Sequence, residues 1–182
     1  MRELALHLLD IAENSISAQA KNITIKIVEI SSQDRLIMSV NDDGKGMDAE
    51  MVAKIIDPFV TSRTTRKVGL GIPLLKAAAE SCNGFLNIRS SPGMGTCVDV
   101  EFQKSHIDRM PLGDVASTFL SLEIGSPEVH WIFLYKRDEK EFLFDDAPIK
   151  QELGDLPICE PAVLSFIREM LEDGISNVLL NE

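Results

Sequence analysis

What this sequence lacks narrows the field first. No uninterrupted apolar stretch reaches the roughly 18 residues that a membrane-spanning helix requires, and the N-terminal run carries Glu3 and Asp10 on an amphipathic pattern unlike a secretory signal. A cytoplasmic protein is the expectation. Cysteine is sparse: Cys82, Cys97 and Cys159 are odd in number and unclustered, which argues against a disulfide framework or a zinc site built on them. Positive charge is scarce in one half only. The net charge is −1 over residues 1–104 and −10 over residues 105–182. Such an acidic second half repels nucleic acid and anionic membrane, so neither is expected as a partner and a protein partner fits better. Internal repeats and low-complexity tracts are also missing. With 45% hydrophobic residues in 182, a core is affordable, and one domain with an appendage is the natural size class.

Against these absences stands Asn41-Asp42-Asp43-Gly44-Lys45-Gly46-Met47, which follows an alternating apolar run and reads as a strand entering a glycine-bearing turn. Gly44 and Gly46 allow close backbone approach to a ligand, and Asp42 presents an acceptor-only carboxylate suited to a ligand amino group. Alone, such a motif usually marks an ordinary turn. Three other stretches accompany it. In Arg2–Ala18, Leu4, Leu8, Ile11 and Ser15 share one helical stripe, while Asp10 and Asn14 stack on another face. Gly69, Leu70 and Gly71 precede a helix beginning near Pro73, where backbone N–H groups face phosphate readily. Gly93 and Gly95 lead through Thr96 into an alternating strand.

In this order and spacing the stretches resemble the ATP-binding domain shared by sensor histidine kinases, type II topoisomerases, the heat-shock chaperone of about ninety kilodaltons and the mismatch-repair ATPases. The resemblance covers Met1 to Phe102. It implies a two-layer α+β sandwich with a mixed sheet for residues 1–104. Asp10 and Asn14 match the helix box that holds magnesium, with the Asn14 amide oxygen as metal ligand. Asp42 through Gly46 match the first glycine box, Asp57-Pro58-Phe59 the phenylalanine box, and Gly69, Leu70 and Gly71 the second glycine box. Gly95-Thr96 match the late Gly-Thr pair. Asp42 is then expected to accept from the adenine amino group, with Thr96 steadying that carboxylate or a bridging water. Kinases of this kind commonly place a further glycine where Lys67 stands, so the segment Val60–Lys67 is either a stiffer lid or one that uses Lys67 on phosphate. The resemblance also implies a strand before the first helix. This chain has no residues for it, which leaves a sheet edge that a partner or a second copy in a homodimer could fill.

Taken in order, the pattern predicts a helix ending near Ser17, strands over Asn22–Val28 and Arg35–Val40, a short helix capped by Asp48, a helix over Leu70–Cys82 stopped at Asn83-Gly84, and a hairpin of Phe85–Arg89 with Thr96–Phe102. Residues 105–182 read as a small acidic α+β appendage: a helix capped by Asp114, a hairpin of Val129–Lys136 with Glu141–Phe144, and helices starting at Pro148 and at Pro161, the latter ending before Gly174. They show no catalytic constellation. Ser105–Leu112 imitates a phosphoacceptor box around His106, but Pro111 and Gly113 oppose the long helix such a box needs, so His106 is expected in a linker.

Function turns on Asp10. A carboxylate there permits proton abstraction from water or a hydroxyl, as the glutamate of hydrolysing relatives does, although aspartate is one methylene shorter. Two readings follow: a Mg2+-ATP-binding, kinase-like signalling protein acting on or with a protein partner, or a nucleotide-gated interaction module with little turnover or weak ATP hydrolysis.

Overall fold

A computed structural model describes residues 3–57, 71–154 and 156–180. Six strands, β1 (Asn22–Ile30), β2 (Arg35–Asp42), β3 (Phe85–Ser90), β4 (Thr96–Gln103), β5 (His130–Arg137) and β6 (Lys140–Asp145), form one mixed sheet in the order β3-β4-β2-β1-β5-β6. Among the described strands only the β1–β5 pair is parallel. The helices are α1 (Leu4–Ser17), α2 (Ala49–Ile56), α3 (Gly71–Ser81), α4 (Val115–Gly125), α5 (Ala147–Leu153) and α6 (Pro161–Leu179).

Strict alternation sets the layers. Ile23, Ile25 and Ile27 of β1, Leu36, Met38 and Val40 of β2, Val98, Val100 and Phe102 of β4, and Trp131, Phe133 and Tyr135 of β5 all turn to one face and are buried. Helices α1, α3, α4 and α6 cover that face in a single core. The opposite face is polar, with the Asp99 carboxylate accepting from Ser39 and Arg89. The caps follow the sequence: Asp48 accepts from the Met51 N–H and Asp114 from the Ser117 N–H, and Asn83 takes a left-handed φ of 54° where α3 stops.

Two features depart from expectation. The hairpin of residues 105–182 extends the N-terminal sheet, because β5 pairs with β1 from Asn22–His130 through Glu29–Arg137. Strand β1 thus lies between β2 and β5, and the edge strands of the described sheet are β3 and β6. Glu29 on β1 fixes this seam: it is buried, accepts from the Tyr135 hydroxyl at 2.6 Å and pairs with Lys104 at 2.8 Å. Burial opposes ionisation of Glu29, but Lys104 and Tyr135 overcome it and hold the carboxyl below its ordinary range. The connection leading to α4 also lies across the start of α1, whose Leu4 and Ala5 N–H groups donate to the Pro111 and Leu112 carbonyls. Second, Gly174 does not end α6, which runs to Leu179. A Cβ at Gly174 would stand 2.3 Å from the Phe142 ring, so this glycine admits the ring of β6 beneath the helix and is not a stop. His106 lies in a turn, its Nδ1 accepting from the Asp108 N–H, as the linker reading expects.

Because the sheet and core run through both halves, Phe133→Ala is expected to cost about 3–5 kcal/mol and to shift one cooperative transition in urea, monitored by Trp131 fluorescence and far-UV dichroism together. Phe133 is fully buried, with the Phe119 ring 5.2 Å away. Two separate transitions would show residues 105–182 to be an independent unit.

Candidate functional site

The parity that buries Leu36, Met38 and Val40 carries Asp42, the last residue of β2, into the same layer, where it is 7% exposed. A carboxylate so placed requires donors. Ser15 Oγ donates to its Oδ2 at 2.6 Å and the Gly44 N–H to its Oδ1 at 2.8 Å. Each oxygen keeps further acceptor capacity, and Asp42 lines a cavity of about 260 Å³. Ile11, Met47, Met51, Ile55, Ile72 and Val98 form its apolar wall, and Asn14, Lys45, Gly46 and Thr96 border it.

The loop after β2 is held from both sides. Lys45 N–H donates to the Ala18 carbonyl at the end of α1, and Lys45 O accepts from the Gly93 N–H of the β3–β4 turn. Gly46 has φ +65°, and a Cβ on it would lie 1.9 Å from the Ser91 carbonyl oxygen, so both its conformation and its space exclude a side chain. Thr96 stands directly across the ladder from Asp42. Its hydroxyl lies 2.9 Å from Ser90 Oγ, which also accepts from the Met47 N–H. The described contacts of the Asp42 carboxylate are with Ser15 and Gly44, so Thr96 engages the loop and not the carboxylate directly.

Asp10 and Asn14 occupy successive turns of α1. Asn14 is exposed on the cavity rim. Asp10 faces the start of α3: its Oδ2 is buried without a hydrogen-bond partner among the described residues, and a Cβ on Gly71 would fall 1.5 Å from that oxygen. Gly71 therefore makes room for the carboxylate at the N-terminal end of α3. His7, one turn earlier, is buried, which holds its imidazole below the usual pKa. Asn14, Asp42, Gly46 and Thr96 thus line one cavity, with the Gly44 N–H on the Asp42 carboxylate; Asp10 and Gly71 meet each other one turn of α1 from Asn14 and are not among the lining residues. Pro58, Phe59, Arg63, Arg66, Lys67, Gly69 and Leu70 lie outside the described residues.

Sequence reasoning missed Ser15 as the Asp42 partner and Ser90 as the loop anchor. Ser15 carried a signal, being the one hydroxyl on the buried stripe of Leu4, Leu8 and Ile11. Ser90 carried none, since its role arises only when the β3–β4 turn meets the β2 loop.

The sequence matches, over residues 2–106, the family described as histidine kinase-, DNA gyrase B-, and HSP90-like ATPase, and the chain belongs to it. It carries an ATP-binding domain of that family, related to those of histidine kinases. Sensor protein kinase FleS of Pseudomonas aeruginosa is 40% identical over 89 residues, covering 49% of this chain and 22% of that kinase. Sensor histidine kinase YxdK of Bacillus subtilis is 28% identical over 97 residues, covering 50% of this chain and 30% of the other. The matched region thus spans less than a third of either kinase. Among solved structures, the Aquifex aeolicus MutL ATPase domain complexed with ADP has a similar fold, with a TM-score of 0.52 at 16% identity over 95% of this chain and 70% of that one. The likeness in fold therefore extends past residue 106. No described helix is long and apolar enough to cross a membrane.

Gly46 and Gly93 provide a graded test, because both have positive φ but only Gly46 is crowded. Gly93→Ala is expected to cost about 1–2 kcal/mol from the left-handed backbone alone. Gly46→Ala should cost clearly more in chemical denaturation, since the Ser91 carbonyl must also move. Equal losses would show that the loop is not pinned against the β3–β4 turn.

Proposed function

We propose that the chain binds Mg2+-ATP in this cavity and acts as a kinase-like signalling protein on or with a protein partner. One observation carries the nucleotide assignment: a buried carboxylate, steadied by Ser15 and Gly44, opens onto an apolar cavity. An adenine ring suits it, with an exocyclic amino group for Asp42 to accept from and apolar faces for Ile11, Met51, Ile55 and Val98 to enclose. The N-terminal end of α3 at Gly71 offers backbone N–H groups to the phosphate tail, the Gly44 and Lys45 N–H groups being engaged with Asp42 and Ala18.

The residues at hand fit magnesium, which takes oxygen ligands. Asn14 offers an exposed amide oxygen on the rim, one turn from the Oδ2 of Asp10, which has no hydrogen-bond partner among the described residues. When bound, the ion neutralises phosphate charge. Asn14 would hold it, and Asp10 would accept the proton of an attacking hydroxyl or water as the γ-phosphoryl group leaves the nucleotide. The charge of −10 over residues 105–182 favours a protein with a basic docking surface as the acceptor or effector.

Asp42→Asn sets an amide donor against the adenine amino group and should lose about 2–4 kcal/mol of affinity, roughly 30–1000-fold, in calorimetric titration with ATP and magnesium. Its far-UV dichroism should stay that of the parent, and parental affinity would remove Asp42 from the site. Asn14→Ala should weaken the magnesium-dependent part of binding.

Asp10→Asn separates binding from chemistry. It should keep nucleotide affinity and lower phosphate release or transfer by about 10²–10⁴-fold. Turnover at the parental rate would exclude Asp10 as the base, and a parent that binds without any turnover would mark the chain as a nucleotide-gated module.

A further inference from the structure

A second cluster lies where β5, β6 and α5 meet, outside the cavity. His130 Nε2 is 2.9 Å from Asp145 Oδ1 and 3.8 Å from Asp146 Oδ1, and the three donor atoms lie within 4.8 Å of one another. The other nitrogen of His130 decides how this arrangement is read. Nδ1 is 3.0 Å from Asn22 Oδ1. The Asn22 amide cannot be turned round, because its Nδ2 donates to the Asp43 carboxylate at 2.6 Å. An amide oxygen only accepts, so Nδ1 carries the ring proton. In the neutral imidazole the Nε2 lone pair therefore faces two carboxylate oxygens, of which Asp145 Oδ1 also accepts from the Ala147 N–H, so a second ring proton or a cation must lie between Nε2 and these oxygens.

Asp146 supplies an independent sign. Its side chain is 0% exposed, Lys150 satisfies only Oδ2, and Oδ1, the oxygen turned toward His130, has no hydrogen-bond partner among the described residues. Burying an unsatisfied carboxylate oxygen is costly without a cation. Glu123 adds a second fully buried carboxyl, neither oxygen hydrogen-bonded among the described residues.

We propose that His130 Nε2, Asp145 Oδ1 and Asp146 Oδ1 bind a first-row divalent cation of the zinc type, with an open coordination position on the solvent side. Tetrahedral zinc with bonds of about 2.0–2.2 Å places its ligand atoms roughly 3.3–3.6 Å apart, and the 2.9 and 3.8 Å separations bracket that spacing. One imidazole with two carboxylates favours such an ion over magnesium. The Nδ1–H bond to Asn22 is the outer contact that normally fixes a ligating histidine. Asp145 is exposed and His130 half-buried, which leaves an entry path.

The test is titration of the EDTA-stripped, nucleotide-free full chain with zinc chloride by calorimetry, with magnesium chloride in parallel. One zinc per chain is expected, with magnesium at least about tenfold weaker. His130→Gln and Asp145→Asn should each weaken zinc binding tenfold or more, and Asp10→Asn should not. Asp146→Asn should behave like them but also removes the Lys150 partner, so the two more exposed positions decide the outcome. Zinc should also shift the ¹⁵N resonance of His130 Nε2, which a merely structural cluster would not do. Absence of stoichiometric zinc, a doubly protonated His130 unchanged by zinc, affinity indifferent to His130→Gln and Asp145→Asn, or loss of binding in Asp10→Asn would each overturn the assignment.

Discussion

The alternation of β2 is the constraint on which the site depends. Leu36, Met38 and Val40 must face the core for the sheet to fold, and a period of two then leaves Asp42 no choice but to face it as well. The cost of that burial is met by Ser15 from α1 and by the Gly44 N–H from the following loop, so helix, strand and loop are fixed by one carboxylate. A slip of one residue would send Asp42 to the polar face and Asn41 to the core, losing the cavity along with the Asp42–Thr96 register.

The parallel β1–β5 pair extends this dependence to the acidic half. Strand β1 is held between β2 and β5, and Glu29 anchors it to Tyr135 and Lys104. Residues 105–114 reach β5 by way of the first turn of α1, the same helix that carries Asp10, Asn14 and Ser15. The second half is therefore structural support for the first, with the rings of Phe119, Trp131, Phe133 and Phe144 continuing the aliphatic core. Most of its charge lies on the surface, Glu123 and Asp146 being buried, while Phe119, Trp131, Phe133, Tyr135, Phe144, Ile167 and Leu171 belong to the shared interior.

Local order was readable from the residues. Alternation located the strands, and Asp48, Asp114 and Asn83 marked helix ends because capping is a property of a few adjacent atoms. Motif spacing located the glycine loops and the Asp10/Asn14 face. Pairing between distant strands was not readable, since nothing in Val129–Lys136 specifies β1 as a neighbour; only the completed core does. Gly174 failed for the same reason: a glycine that stops a helix and one that admits a ring are alike until Phe142 is in place. Ser15 and Ser90 were polar residues whose partners Asp42 and Met47 lie 27 and 43 residues away, a distance that leaves no trace in helical or strand periodicity.

Asn22 joins the two sites described above, and the join has a definite polarity. Its amide presents oxygen to His130 and nitrogen to Asp43, and it cannot reverse without setting two acceptors together at one end. Asp43 in turn accepts from the Lys21 and Asn22 N–H groups, fastening the start of β1 to the residue beside Asp42. Whatever holds the His130 ring in place thus also holds Asn22, and Asn22 holds the loop that carries Gly44 and Gly46. The connection runs through side-chain hydrogen bonds across the β1–β5 seam, so it exists only because the acidic half completes the sheet.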